Sequence, residues 1–346
     1  MTLRAGLVAP WFFVLAALGC SGTSAAVDAS PGDAGMRADA APGMDAAPGT
    51  DAAPGTDAAT GLDAGSSDDA GADAATASDA GTATCGTAMP ALGSTGGTEG
   101  LVIARDGTIY YSVSGGVARI TPDGTLDASW LRIPGASTIW GLALDATNTH
   151  LFIGDPGAGQ LRIATNLSGT PTQAPLAAIT QPNGVTLGPD GFVYVSDFAG
   201  GSVLRVDPSS GASDTVTASS IAGADGVAFT DDGSLLVTSY SAGTVLSLTL
   251  DPSHHETART TVARMVPSAD GVAVDENGVL YVGGGARVYR IGAGGTPDMT
   301  LQMGRPGTAN LEWGAGALDC HALYVATGGG VTRIALTVAQ RALPWH

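Results

Sequence analysis

Residues 224–237 read ADGVAFTDDGSLLV and residues 269–282 read ADGVAVDENGVLYV. In each block a glycine opens a short apolar run, a turn pair follows, and a second apolar run closes the unit. The turn pairs are Asp232-Gly233 and Asn277-Gly278. Both residue types tolerate positive φ, so between apolar runs they are strong hairpin signals. Asp106-Gly107 and Asp190-Gly191 stand at the same offset. Working outward, the block recurs at Gly100, Gly141, Gly184, Gly226, Gly271 and Gly316, at separations of 41, 43, 42, 45 and 45 residues. The second runs carry Tyr110-Tyr111, Phe152-Ile153, Tyr194-Val195, Leu236-Val237, Tyr281-Val282 and Tyr324-Val325. A third strand carries Arg119, Arg162, Arg205, Arg290 and Arg333, with Ser247 in the fourth repeat. Arginines in register with the fold read as structural. A period of about 40–45 residues built from short strands is that of propeller blades. The chain is therefore expected to be all-β, a six-bladed β-propeller over residues 85–346.

The sixth repeat runs out near Leu336. An open ring would leave an exposed edge. The simplest closure borrows an outer strand from about Thr82 to Pro90. That would bring Cys85 into the same blade as Cys320, and in an oxidising compartment the two could pair. Two free buried thiols are the plain alternative.

Residues 1–19 read as a signal peptide. Arg4 precedes an apolar run from Leu7 to Leu18 that is too short to span a bilayer. Ala17-Leu18-Gly19-Cys20 resembles a bacterial lipobox, which implies lipidation of Cys20. An ordinary secreted protein is the alternative. Ser21 after the cysteine implies sorting to the outer membrane, so a lipid-anchored, cell-envelope location is expected. Residues 20–84 read as a disordered tether. Asp-Ala-Ala-Pro-Gly recurs at Asp39, Asp45 and Asp51, and residues 21–84 hold eleven aspartates, one arginine and no Phe, Tyr or Trp. Such a segment buries too little apolar surface to offset its ordering entropy. Much of the net charge of −18 comes from this stretch. The chain has no lysine, which excludes Schiff-base chemistry. The absence of a basic cluster argues against nucleic acid as a partner.

In a propeller the innermost strands line the axis. The residue before each marker glycine then sits at the channel mouth. These residues are Glu99, Trp140, Asn183, Asp225, Asp270 and Ala315. Three carboxylates at such range cannot all stay ionised without compensation. Either a cation sits among them or one carboxyl is protonated. Oxygen donors favour a hard divalent cation, calcium first.

Glu99-Gly100, Pro182-Asn183-Gly184-Val185 and Ala269-Asp270-Gly271-Val272, with the repeat count, resemble the senescence marker protein/gluconolactonase/luciferin-regenerating-enzyme family. The resemblance implies a six-bladed propeller with one divalent cation at the channel centre and lactonase or esterase activity. By blade count, the ligands it implies are Glu99, Asn183, Asp225 and Asp270. By motif text alone the set is Glu99, Asn183 and Asp225. Asp225 departs from the family's more usual asparagine. Asp270, or else Asp225, would be base or nucleophile, and Trp140 an apolar wall for a small-molecule lactone or ester. The repeat text also resembles NHL-type propellers, many of which bind a protein or glycan and catalyse nothing. His254 and His255 read as a solvated loop and His321 as structural. Trp130, Trp313 and Trp345 read as packing residues.

Overall fold

The computed structural model describes residues 86–88, 90, 92, 96, 99–303 and 306–341. The expected signal peptide, the tether, Cys20, Cys85 and Trp345 lie outside these residues.

The described strands form six antiparallel sheets, five of four strands and one of three, each a meander of sequence neighbours. The inner strands are Leu101–Ile103, Leu142–Leu144, Pro182–Leu187, Ala224–Phe229, Ala269–Val274 and Leu311–Trp313. The second strands, such as Leu151–Asp155, Val193–Asp197, Leu235–Ser239 and Ala322–Thr327, are buried along their whole length. Apolar side chains alternate between the two faces of these strands, and each face meets a neighbouring blade. The outermost strands, such as Glu256–Ala263 and Pro297–Gln302, are largely exposed, which matches their threonine and charge content.

Among the described residues, six apolar clusters fill the gaps between blades. One joins Tyr110 and Trp130 of the first blade to Leu142 and Ile153 of the second. Another joins Leu101, Tyr111 and Ile120 of the first to Ala322, Tyr324 and Val331 of the sixth. That last cluster closes the ring through packing. The turn glycines behave as the sequence requires, with φ of 93° at Gly107, 78° at Gly191, 81° at Gly233 and 77° at Gly278. The register arginines are structural. Arg162 pairs with Asp155 at 2.8 Å, Arg205 with Asp190 at 2.6 Å, Arg290 with Asp298 at 2.6 Å and Arg333 with Asp319 at 2.6 Å. Arg119 lies over Trp130.

Of the expected closing segment, residues 82–85 and 89 lie outside the described ones, and residues 86–88 take another path. The amides of Gly86 and Ala88 donate to the carbonyls of Gly316 and Ala317 at 3.0 and 2.9 Å. This segment therefore lies along the turn between the first two strands of the sixth blade. Its described residues do not pair with Gly330–Ala335, the outermost described strand of that blade. A Cβ on Gly86 would stand 1.9 Å from the Ala317 carbonyl oxygen, so only glycine permits that approach. Cys320, in the same turn, is disulfide-bonded.

Candidate active site at the channel mouth

The marker glycines exist because the inner strands nearly touch. A Cβ at Gly100 would lie 1.9 Å from the carbonyl oxygen of Trp140, and one at Gly141 1.9 Å from that of Asn183. At Gly184 the neighbour is the Asp225 carbonyl at 2.3 Å, and at Gly226 the Asp270 carbonyl at 2.4 Å. Each glycine thus receives the backbone of the next blade's mouth residue.

Side-chain hydroxyls on the second strands fix those backbones. Ser112 accepts from the amides of Glu99 and Gly100 at 3.0 and 2.9 Å. Ser196 accepts from Gly184 at 2.8 Å and donates to the Asp225 carbonyl at 2.5 Å. Thr238 donates to the Asp270 carbonyl at 2.6 Å. All three stand twelve positions after their blade's marker glycine, a recurrence visible in the sequence but not read there.

The result is one small cavity, about 20 Å³, lined by Glu99, Asn183, Asp225, Asp270 and Asn310 and by the glycines between them. That is room for a single water-sized particle. Four residues anticipated from the sequence are therefore brought together. The sixth is corrected: Asn310, not Ala315, stands at the mouth. The sixth inner strand begins with Leu311 and carries no marker glycine. Gly316 instead occupies the following turn, with φ of 57°. Asn310 locks the first and last blades together, donating from its amide to the Glu99 carbonyl at 3.3 Å and from Nδ2 to the Leu101 carbonyl at 3.3 Å. Trp140 does not line the cavity. It stands half-buried just outside, edge-on to Phe198.

Electrostatically the cavity is crowded. Burial pushes the Glu99 carboxyl up to about 7. Asp225 is held well above the ordinary carboxylate range, first by burial and then by the charge of Glu99. Asp270 is raised by burial and then by Asp225 and Glu99. A hydrogen bond links the Asp225 and Asp270 carboxyls. Two buried acids so placed cannot both carry charge without cost, so their protonation is linked. Asp225 Oδ1 is buried without a hydrogen-bond partner. Among the described residues no group of three or more His, Cys, Asp or Glu side chains is gathered as a metal site.

Further along the channel lies a second cavity, about 80 Å³, lined by Leu142, Val185, Val227, Val272, Trp313 and Glu312. Glu312 is two residues beyond Asn310, and both line this second cavity. Burial pushes its carboxyl up to about 7. A raised carboxyl favours the neutral form in the fold. Its contribution to stability is present in full below the unfolded value and is lost as the pH climbs through 7. Glu312→Gln should therefore melt like the parent protein near about pH 4.5, yet be more stable near about pH 8 by on the order of 3 kcal/mol. Thermal melts at the two pH values measure this, and equal melting at both would refute it.

The other candidates lie elsewhere. His254 faces Asp190 at 3.4 Å, His255 faces Asp214 at 3.3 Å, and His321 faces Asp319 at 3.6 Å. Trp130 and Trp313 are buried packing residues.

The family described as SMP-30/Gluconolactonase/LRE-like region matches residues 146–329, more than half of the 346-residue chain. No curated protein sequence matches it. Among solved structures, a gluconolactonase from Xanthomonas campestris superposes with a TM-score of 0.60 at 18% identity, over 71% of this chain and 88% of that one. A luciferin-regenerating enzyme gives 0.59 at 17%, over 72% and 95%. Regucalcin from Agrobacterium tumefaciens strain C58, described as a calcium-binding protein, gives 0.60 at 14%, over 75% and 97%. At such identities these likenesses speak for the six-bladed fold.

Proposed function

Because the chain belongs to the SMP-30/gluconolactonase/LRE-like family, we propose that it is a hydrolase of lactones or esters, working at the acidic cavity of the channel mouth. The observation that carries this reading is the convergence of Glu99, Asn183, Asp225, Asp270 and Asn310 from five blades onto one cavity. A structural pore has no need of three mutually repelling carboxyls. Perturbed carboxyls in a cleft mark functional sites because chemistry needs shifted proton affinities.

Asp270 is the base. It is 9% exposed and Asp225 2%, so Asp270 is the more accessible of the pair. Its raised proton affinity lets it take a proton from an attacking water near neutral pH. It returns that proton to the departing alcohol oxygen as the carbon–oxygen bond breaks. Asp225 tunes Asp270 through their hydrogen bond.

The donor set fits a hard divalent cation, and calcium is the ion we propose. All donors are oxygen, and Asp225 Oδ1 lacks a partner. Glu99, Asn183 and Asp225 would hold the ion. When bound, it supplies Lewis acidity, polarising a carbonyl and easing deprotonation of water. Adding calcium to chelator-treated protein should raise its stability by about 3 kcal/mol at a hundredfold excess over Kd. Glu99→Gln should shrink that gain. If no divalent cation shifts the melt and a panel of lactones and esters is untouched, the non-catalytic protein- or glycan-binding propeller is the better reading.

We further propose that the protein works in the cell envelope, lipid-anchored through Cys20 and sorted to the outer membrane. Cys20→Ser should then move it from the detergent-extracted membrane fraction to the soluble one. Unchanged fractionation would refute the anchor.

A further inference from the structure

Three aromatic side chains stand beside the acidic cavity, outside the interblade cores. Trp140 immediately precedes Gly141, which lines the cavity. Phe198 follows the second strand of the third blade, and its amide donates to the Gln181 carbonyl at 2.9 Å, two residues ahead of Asn183. Tyr240 follows the second strand of the fourth blade, and its amide donates to the Gly223 carbonyl at 2.9 Å, two residues ahead of Asp225. Phe198 and Tyr240 are thus tied to the approach of their own blade's mouth residue. They meet in sequence, Trp140 to Phe198 at 6.1 Å and 64°, Phe198 to Tyr240 at 5.8 Å and 65°. Gly223, with φ of 61°, borders the arc: a Cβ there would be in ordinary contact with Phe198 Cε2 at 3.4 Å.

Solvation makes this arrangement costly unless it is used. Tyr240 is 41% exposed. Met265, on the connection into the fifth inner strand, is 74% exposed and holds φ of 62°. Exposed apolar area and a left-handed non-glycine residue are both unfavourable. Met265 belongs to the same rim, because the next amide, that of Val266, donates to the Gly243 carbonyl in the turn that carries Tyr240. The position in the fifth blade that matches Phe198 and Tyr240 is Gly285, where a Cβ would meet nothing within 4 Å. Aromatic rings therefore flank the approach to the mouth residues in the second, third and fourth blades, and the matching place in the fifth carries none. Among the described residues no basic side chain lines the cavity, and the second blade offers a tryptophan where a hydroxylated substrate would need a polar partner.

We propose that the substrates carry a flat apolar group, an aryl ring foremost, seated against Trp140, Phe198 and Tyr240 while the ester or lactone carbonyl meets the acidic cavity. This assignment rests on the hydrolase reading above. Tilted rings leave faces free for offset stacking with such a group.

The test pairs two lactones of the same ring size, 2-coumaranone and γ-butyrolactone, on the full-length protein, with oxindole as an uncharged, non-hydrolysed lactam probe in calorimetric titrations. Phe198→Leu and Tyr240→Ala should each raise KM for 2-coumaranone about tenfold relative to γ-butyrolactone and weaken oxindole binding by a similar factor. Tyr240 is exposed, so its variant keeps the fold if Phe198→Leu does not. Binding of oxindole that is lost in the variants, with neither lactone cleaved, would remove the hydrolase reading and leave the aryl seat standing. Cleavage of both lactones with their KM ratio unchanged in the variants would overturn the aryl seat and leave the hydrolase reading standing. Absence of both binding and cleavage would overturn both.

Discussion

Asparagine in place of Asp270 is expected to lower kcat for lactone or ester hydrolysis by about a thousandfold, the loss of a positioned general base. The amide matches the carboxylate in shape but cannot take a proton at neutral pH. The same substitution removes one of three buried acids that repel one another. The metal-free variant should therefore melt no lower than the parent at about pH 8, where the paired carboxyls are most strained. Activity lost while stability holds would separate chemistry from folding. An unchanged kcat would take Asp270 out of the reaction, whatever happened to the melting temperature.

The largest expected effect on stability comes from a single methyl group. Gly141→Ala would place a Cβ 1.9 Å from the Asn183 carbonyl oxygen and 2.8 Å from Val185 Cγ2. Neither neighbour can yield cheaply. The first is backbone of the adjacent inner strand, and the second belongs to the core between the second and third blades. The two strands must part, and the cavity they frame opens with them. We expect a loss of at least about 4 kcal/mol, the range reserved for overpacked or strained core sites, seen as failure to fold or a melting temperature lower by roughly 10 °C. Gly191→Ala is the control. It carries φ of 78° but meets nothing within 4 Å, so only backbone strain of about 1–2 kcal/mol applies. Equal effects of the two substitutions would show that strand proximity is not what the marker glycines protect.

Much of this architecture could be read directly from residue order. Alternating apolar residues, Asp-Gly and Asn-Gly turns and a constant interval are local signals, and blades are built from local hairpins. Glu99, Asn183, Asp225 and Asp270 were legible for a related reason, since each precedes a glycine that the close approach of strands requires. Asn310 was hidden because the sixth inner strand has Leu311 where the others have glycine. Gly316, a turn residue, mimicked the marker. Ser112, Ser196 and Thr238 looked like ordinary strand residues, because their partners are backbone atoms of the same sheet or the next. Phe198 and Tyr240 follow their strands at turn positions, where an aromatic residue carries no periodic signal. Only the placement of three successive blades brings them to Trp140. The path of Gly86–Ala88 is not legible in the sequence, because its amides go to the turn carbonyls of Gly316 and Ala317 and not to a strand edge.

The hydroxyl clasps on the second strands have a consequence for how such a protein can change. Ser196 and Thr238 grip main-chain carbonyls at positions 225 and 270, so the grip is indifferent to the side chain it carries. The address is held by the scaffold, and the reagent delivered there is interchangeable. Imidazoles or amides installed at 225 and 270 should inherit the same placement, which a crystal structure of such a variant would reveal. Descendants of one ancestor could in this way be re-equipped for new reactions without relearning how to fold.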